Sequence, residues 1–180
     1  MKENPKKILL IISGSIAAVK SLELVSEVRK MGHEIRCVLT PGGEKFVTPL
    51  SLEALSHQKV LRDEFEEGQL YEHLDLPKWA DLILYCPASA NLISRLAQGL
   101  GSDLASLVFL ADNLKTPTLL FPAMNSNMFQ HPLVQKNLNV LRECSVKIVG
   151  PAEGILACGE EGPGRLLEVS QILDEIAEFL

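Results

Sequence analysis

The four cysteines, Cys37, Cys86, Cys144 and Cys158, form no Cys-x-x-Cys pair. Neither a zinc site nor a disulfide framework is therefore expected, and a reducing cytoplasm is the setting that fits. Lys/Arg blocks are missing after the opening Lys2–Lys7 stretch, and 17 Lys+Arg stand against 23 Asp+Glu, a formal charge of −6. That balance argues against a nucleic-acid partner. The longest apolar run, Ile8–Ile12 with its neighbours, is too short to span a membrane and lacks the cleavage pattern of a signal peptide. No Gly-x-x-x-x-Gly-Lys-Ser/Thr stretch occurs, which disfavours a nucleotide triphosphatase. Repeats, low-complexity tracts and interdomain linkers are also lacking.

What is present is an ordinary globular chain of 180 residues, 47% hydrophobic and 22% charged. At roughly 150 residues per domain it reads as one domain, 1–180. Short apolar runs alternate with amphipathic ones. Lys7–Ile12 reads as a strand buried on both faces, followed by a helix from Ile16 to Lys30 that stops before Gly32. Glu34–Leu39, Leu82–Cys86, Thr118–Phe121 and Val146–Val149 read as further strands. Thr48 before Pro49 marks a helix start, and Asn91–Ala97, Asp103–Ala111, His131–Glu143 and Val169–Leu180 read as helices. Gly150 to Arg165, rich in glycine and proline, reads as a loop, and so does the acidic surrounding of His73. The alternation predicts an α/β chain: a single-domain, Rossmann-like, doubly wound parallel sheet with helices on both faces.

In such sheets ligands sit beyond the carboxyl ends of the strands. Four strand ends carry loops of small polar residues, glycine or proline: Ser13–Ser15, Thr40–Gly43, Pro87–Asn91 and Pro122–Asn127. The first suits a phosphate, with helix-start N–H groups and two hydroxyls, although Ser15 equally suits a plain helix cap. A dinucleotide fingerprint needs three glycines and an acidic residue after the second strand; here there is one glycine, and Thr40. A mononucleotide phosphate remains, with Ser15, Thr40 and Ser89 as hydroxyl donors.

The set Ser13-Gly14-Ser15-Ile16-Ala17-Ala18, Pro87-Ala88-Ser89-Ala90-Asn91, Pro122-Ala123-Met124-Asn125-Ser126-Asn127-Met128 and Ala157-Cys158-Gly159-Glu160, with His73–Asp81 between, resembles the FMN-dependent cysteine decarboxylases. Within that family the likeness runs to the members acting on phosphopantothenoylcysteine in coenzyme A biosynthesis, and it covers Lys6 to Leu180. The resemblance implies FMN as cofactor and a small-molecule substrate. Thiol oxidation to a thioaldehyde comes first, then loss of CO2 to an enethiolate, protonation and re-reduction. It implies His73 as the base for the thiol, Cys158 as the proton donor and Asn125 at the substrate carboxylate. Met128, Leu156 and Ala157 would lie along the substrate. Gly14, Ser15, Ile16, Thr40, Ser89, Ala90, Asn91, Leu92 and Ala123 would hold FMN.

Read without the resemblance, His73 is a surface histidine and Asn125 a helix cap, and Arg165 is either solvated or placed at a phosphate or carboxylate. Cys37, Cys86 and Cys144 read as small buried hydrophobes. Three positions depart from the family pattern: Leu92 for a usual Thr, Phe129 for Trp or Tyr, and Val19 for Tyr. The resemblance further implies a homo-oligomer, a trimer or dodecamer with FMN between protomers, with Leu22, Val25, Leu104 and Val108 as compatible apolar content. It also implies a phosphopantothenate–cysteine ligase working alongside. Other readings are a peptidyl-cysteine decarboxylase, a flavin prenyltransferase and a non-catalytic phosphatase-regulating relative. His73 with Cys158 argues against the prenyltransferase, and the lack of acidic tails against the regulator.

Overall fold

A computed structural model describes residues 4–62 and 71–180. Five parallel strands, β1 (Lys7–Ile12), β2 (Glu34–Leu39), β3 (Leu82–Ala88), β4 (Thr118–Pro122) and β5 (Lys147–Ile148), form one sheet in the order β2-β1-β3-β4-β5. β1 and β3 are nearly continuous apolar runs because both of their faces are covered. Ile8, Leu10 and Ile12 point into one core with α1 (Lys20–Lys30), α2 (Pro49–Ser56) and α8 (Val169–Ala177). Leu9 and Ile11 point into the other, against α3 (Glu72–Trp79), α4 (Ala90–Gln98), α5 (Leu104–Asp112) and α7 (Pro132–Glu143). At about 1.5–3 kcal/mol per buried large aliphatic side chain, these two layers hold the sheet. The doubly wound parallel architecture expected from the alternation is the one observed.

Local chemistry sets the ends of the helices. A short 3-10 turn, Ile16–Val19, leads into α1 and is capped by the Ser15 hydroxyl, which accepts from Ala17 N at 3.3 Å. Thr48 caps α2 with Pro49 at the first helical position, and Asp103 caps α5 through Ser106. Inside the second core, the Tyr85 hydroxyl donates to the Ala105 carbonyl at 3.2 Å, so the buried phenol is satisfied.

Three expectations need correction. The glycine-rich segment is no loop: β6 (Ala152–Ile155) and β7 (Glu161–Arg165) pair antiparallel as a separate hairpin. Its glycines serve close approach, since a Cβ on Gly164 would lie 2.2 Å from the Met124 carbonyl oxygen and one on Gly162 2.5 Å from Ser126 Oγ. His73 lies in α3 and not in a loop. Pro77 lacks the N–H that would bond the His73 carbonyl, but only two turns are needed, and Leu76 and Ala80 are buried against the sheet. Val25, Leu104 and Val108 belong to the chain's own cores and so are not free for a subunit contact, while Leu22 is half-buried against one of them.

Candidate functional site

The chain leaves β1 for β2 on one side and returns to β3 on the other, so the strand order reverses between β1 and β3. A crevice opens at the carboxyl ends of such a pair. Here Ser13 fastens its two sides. Its hydroxyl donates to the Pro87 carbonyl at 2.8 Å and accepts from Ser89 N at 2.8 Å, while Ser13 N donates to the same carbonyl at 3.2 Å. The first loop also presses on the second: a Cβ on Gly14 would lie 3.1 Å from backbone atoms of Gly42, which is why a glycine stands there.

A cavity of about 570 Å³ lies above this junction. Of the residues expected at the site, Gly14, Ser15, Ile16, Ser89, Ala90, Ala123, Asn125, Met128, Leu156, Ala157 and Cys158 line it. Ser15 and Ser89 are both caps and wall residues. Ser89 Oγ accepts from Leu92 N at 3.3 Å at the start of α4, and each cap hydroxyl retains its own proton to donate.

The hairpin brings Cys158 to Asn125. Met124 N donates to the Gly164 carbonyl at 3.0 Å, docking β7 on the fourth loop. The tip closes through Leu156 N to the Glu160 carbonyl at 2.8 Å and Gly159 N to the Leu156 carbonyl at 2.9 Å. Asn125 begins a single helical turn, α6 (Ser126–Gln130), and its Oδ1 accepts from Asn127 N at 2.8 Å. Capping thus fixes the amide, and its Nδ2 is left to donate outward. It donates to Glu160 Oε2 at 2.8 Å and lies 3.5 Å from Cys158 Sγ, which is itself 3.7 Å from Glu160 Oε2. The capping reading of Asn125 holds on Oδ1, and Nδ2 is a separate donor on the same side chain.

Four expected residues do not line the cavity. Thr40 is buried and its hydroxyl is spent in both directions, donating to the Ile12 carbonyl at 3.1 Å and accepting from Gly43 N at 3.2 Å. It shapes the second loop, and the expectation of a phosphate donor there is corrected. Leu92 is fully buried in the second core, and Asn91 is exposed on α4 outside the cavity. His73 is half-buried on α3, away from the lining residues, with a buried Nδ1 that has no hydrogen-bond partner among the described residues.

Of the three cysteines expected to be small buried hydrophobes, Cys37 and Cys86 are, and Cys144 is not fully so. Cys37 and Cys86 are fully buried, and burial pushes the Cys37 thiol up to about 12 and Cys86 higher still, so both stay protonated and inert. Cys144 is half-buried and Cys158 exposed. Sequence reasoning missed Glu160, although it directly follows the Cys158-Gly159 pair. It also missed Lys20 and Glu168, whose sequence neighbourhood reads as ordinary helix surface.

The donor set suits a flavin mononucleotide. Helix-start N–H groups and two cap hydroxyls could receive an anion, while Ile16, Met128 and Ile155 could offer apolar side chains to a ring. The chain is 41% identical to the coenzyme A biosynthesis bifunctional protein CoaBC of Haemophilus influenzae, over 99% of this chain and 45% of that protein. It thus spans about half the length of the bifunctional relatives it matches. It is 38% identical to a probable phosphopantothenoylcysteine decarboxylase of Streptococcus mutans, over 97% of this chain and 99% of that one. A solved cysteine-to-serine mutant of PPC decarboxylase, complexed with pantothenoylaminoethenethiol, superposes with a TM-score of 0.87 at 30% identity and covers 98% of both chains. The model of the Flavoprotein family matches residues 1–180, and the chain belongs to that family.

Proposed function

We propose that this chain binds FMN and decarboxylates phosphopantothenoylcysteine to phosphopantetheine, a step of coenzyme A biosynthesis. The observation that carries the reading is the approach of Asn125 Nδ2 and Cys158 Sγ, 3.5 Å apart, at the mouth of a cavity above the β1/β3 junction. The likeness to decarboxylases along the whole chain supports it.

A bound flavin supplies a two-electron acceptor for the substrate thiol and returns those electrons at the end, so the net reaction is loss of CO2 without net oxidation. The protein manages anions and protons. Asn125, held by its cap bond, presents Nδ2 to the substrate carboxylate, in the place where it meets the Glu160 carboxylate. The thioaldehyde next to that carboxylate lets the C–C bond electrons delocalise onto sulfur as CO2 leaves. Cys158 then gives its thiol proton to the carbon that lost CO2. His73 takes the proton of the substrate thiol.

His73 is not on the cavity of its own chain. We therefore read the site as completed by a second copy in a trimer or dodecamer, with FMN between protomers. The half-exposed apolar rim supports this: Ile16, Val19, Met128 and Ile155 are 48–70% exposed around the cavity. A phosphopantothenate–cysteine ligase, fused or separate, supplies the substrate. No helix among the described residues is long and apolar enough to cross a membrane. The test is CO2 release from phosphopantothenoylcysteine beside a peptide ending in cysteine. Release from the first at a rate far above the second supports the reading, and the reverse preference or no release from either defeats it.

A further inference from the structure

Three residues lining the cavity are charged, Lys20, Arg165 and Glu168, giving that wall a charge of +1 in a chain of −6. They come from the start of α1, the end of β7 and the residue before α8. One carboxylate bridges both cations. Glu168 Oε2 accepts from Lys20 Nζ at 2.8 Å, and Glu168 Oε1 accepts from Arg165 NH2 at 3.2 Å. Lys20 Nζ also donates to the Leu167 carbonyl at 3.4 Å.

We propose that Lys20 and Arg165 form a phosphate-monoester subsite, with the Glu168 carboxylate occupying it until the ligand arrives. The inference rests on the reading of this cavity as a site for phosphorylated ligands, and it adds the residues that would recognise the phosphate. The two donors already converge on an anion whose oxygens are shared between them, which is the demand a phosphate makes. The placing of the three groups favours exchange. The Lys20 side chain is 27% exposed and Arg165 45%, and Glu168, at 51%, can turn to solvent and leave both cations lining the cavity. Two cations freed in this way match the charge of nearly −2 that a phosphate monoester carries at neutral pH. The hydrogen bond from Lys20 lowers the Glu168 carboxyl below its ordinary range, so Glu168 is an anion throughout the neutral range and leaves by displacement, not by protonation.

Two ligands of this site carry that chemistry, the cofactor's ribityl phosphate and the substrate's own phosphate. Binding measured on the full chain separates them. Flavin-free protein is titrated with FMN and riboflavin, and flavin-loaded protein with phosphopantetheine and pantetheine. Each titration uses wild type, Lys20→Met, Lys20→Arg and Arg165→Met. One of the two phosphate preferences falls about ten- to a hundredfold in Lys20→Met, in line with one charge-assisted hydrogen bond, and recovers mostly in Lys20→Arg. The affected pair names the source. Arg165→Met leaves the Lys20 contacts in place, so it decides the matter if Lys20→Met does not fold. Both preferences staying within about twofold of wild type in every variant would overturn the proposal. So would equal losses for phosphorylated and unphosphorylated ligands. If wild type releases no CO2, the decarboxylase reading fails, while the binding ratios still report on the subsite.

Discussion

Replacing Asn125 by aspartate keeps the size of the side chain and reverses what it offers. Oδ1 can still cap α6 through Asn127 N, but the Nδ2 donor, 2.8 Å from a carboxylate oxygen, becomes an anionic oxygen. The lost hydrogen bond to a charged group is worth about 1.5–3 kcal/mol for a bound substrate carboxylate. Two like charges about 4 Å apart in a water-like medium add about 1 kcal/mol of repulsion. Together these predict a fall of roughly a hundred- to a thousandfold in kcat/KM for CO2 release. Stability should fall less than in Asn125→Ala, because the cap survives, an anion at a helix start is favourable by about 0.3–1 kcal/mol, and the exposed Glu160 can turn away from the new carboxylate. Asn125→Ala, by contrast, loses the cap and about 1 kcal/mol. The assay pairs CO2 release with thermal melting. An Asn125→Asp enzyme within threefold of wild type, or one destabilised as much as the alanine variant, would refute the split between capping and binding atoms.

His73→Asn should abolish CO2 release while flavin absorbance is retained; normal turnover would reject the base assignment. If His73 acts across a subunit contact, mixing His73→Asn with Cys158→Ser chains should restore part of the activity, and no restoration would place the histidine within its own chain's site. Cys158→Ser alone should oxidise and decarboxylate the substrate but stall before the final reduction, so mass spectrometry should find an enethiol product in place of the thiol. Product formed at the wild-type rate would remove Cys158 as donor. Gly164→Ala forces a side chain toward the Met124 carbonyl at a backbone φ of +148°, at a cost of about 1–3 kcal/mol. Undocking of the hairpin should then speed alkylation of Cys158 while Cys37 and Cys86 stay unreactive, and an unchanged labelling rate would contradict the docking role.

The sheet was legible because buried parallel strands leave an unmistakable mark. Lys7–Ile12 and Leu82–Cys86 are apolar on both faces, and Ser, Gly and Pro punctuate their ends. The cap roles of Ser15 and Asn125 were legible for the same local reason, whereas Ser89, read only as a hydroxyl donor, also caps α4. The β6–β7 hairpin was not, since Gly162 and Gly164 look like loop residues until the Met124–Ser126 backbone is seen lying against them. Pro77 hid the short helix of His73, because proline within a helix is read as a break. Lys20 and Glu168 are 148 residues apart, and no local pattern announces that their side chains meet. Thr40 shows the opposite error. Its hydroxyl sits at the right strand end, but the loop's own backbone uses both its donor and its acceptor.

The central claim, that a flavin mononucleotide fills the crevice above β1 and β3, is tested most directly by crystals of the FMN-loaded protein. The account predicts the isoalloxazine ring in the cavity bounded by Gly14, Ser89 and Asn125, within reach of the Cys158 loop. A ring bound elsewhere, or protein that takes up no FMN, would contradict it.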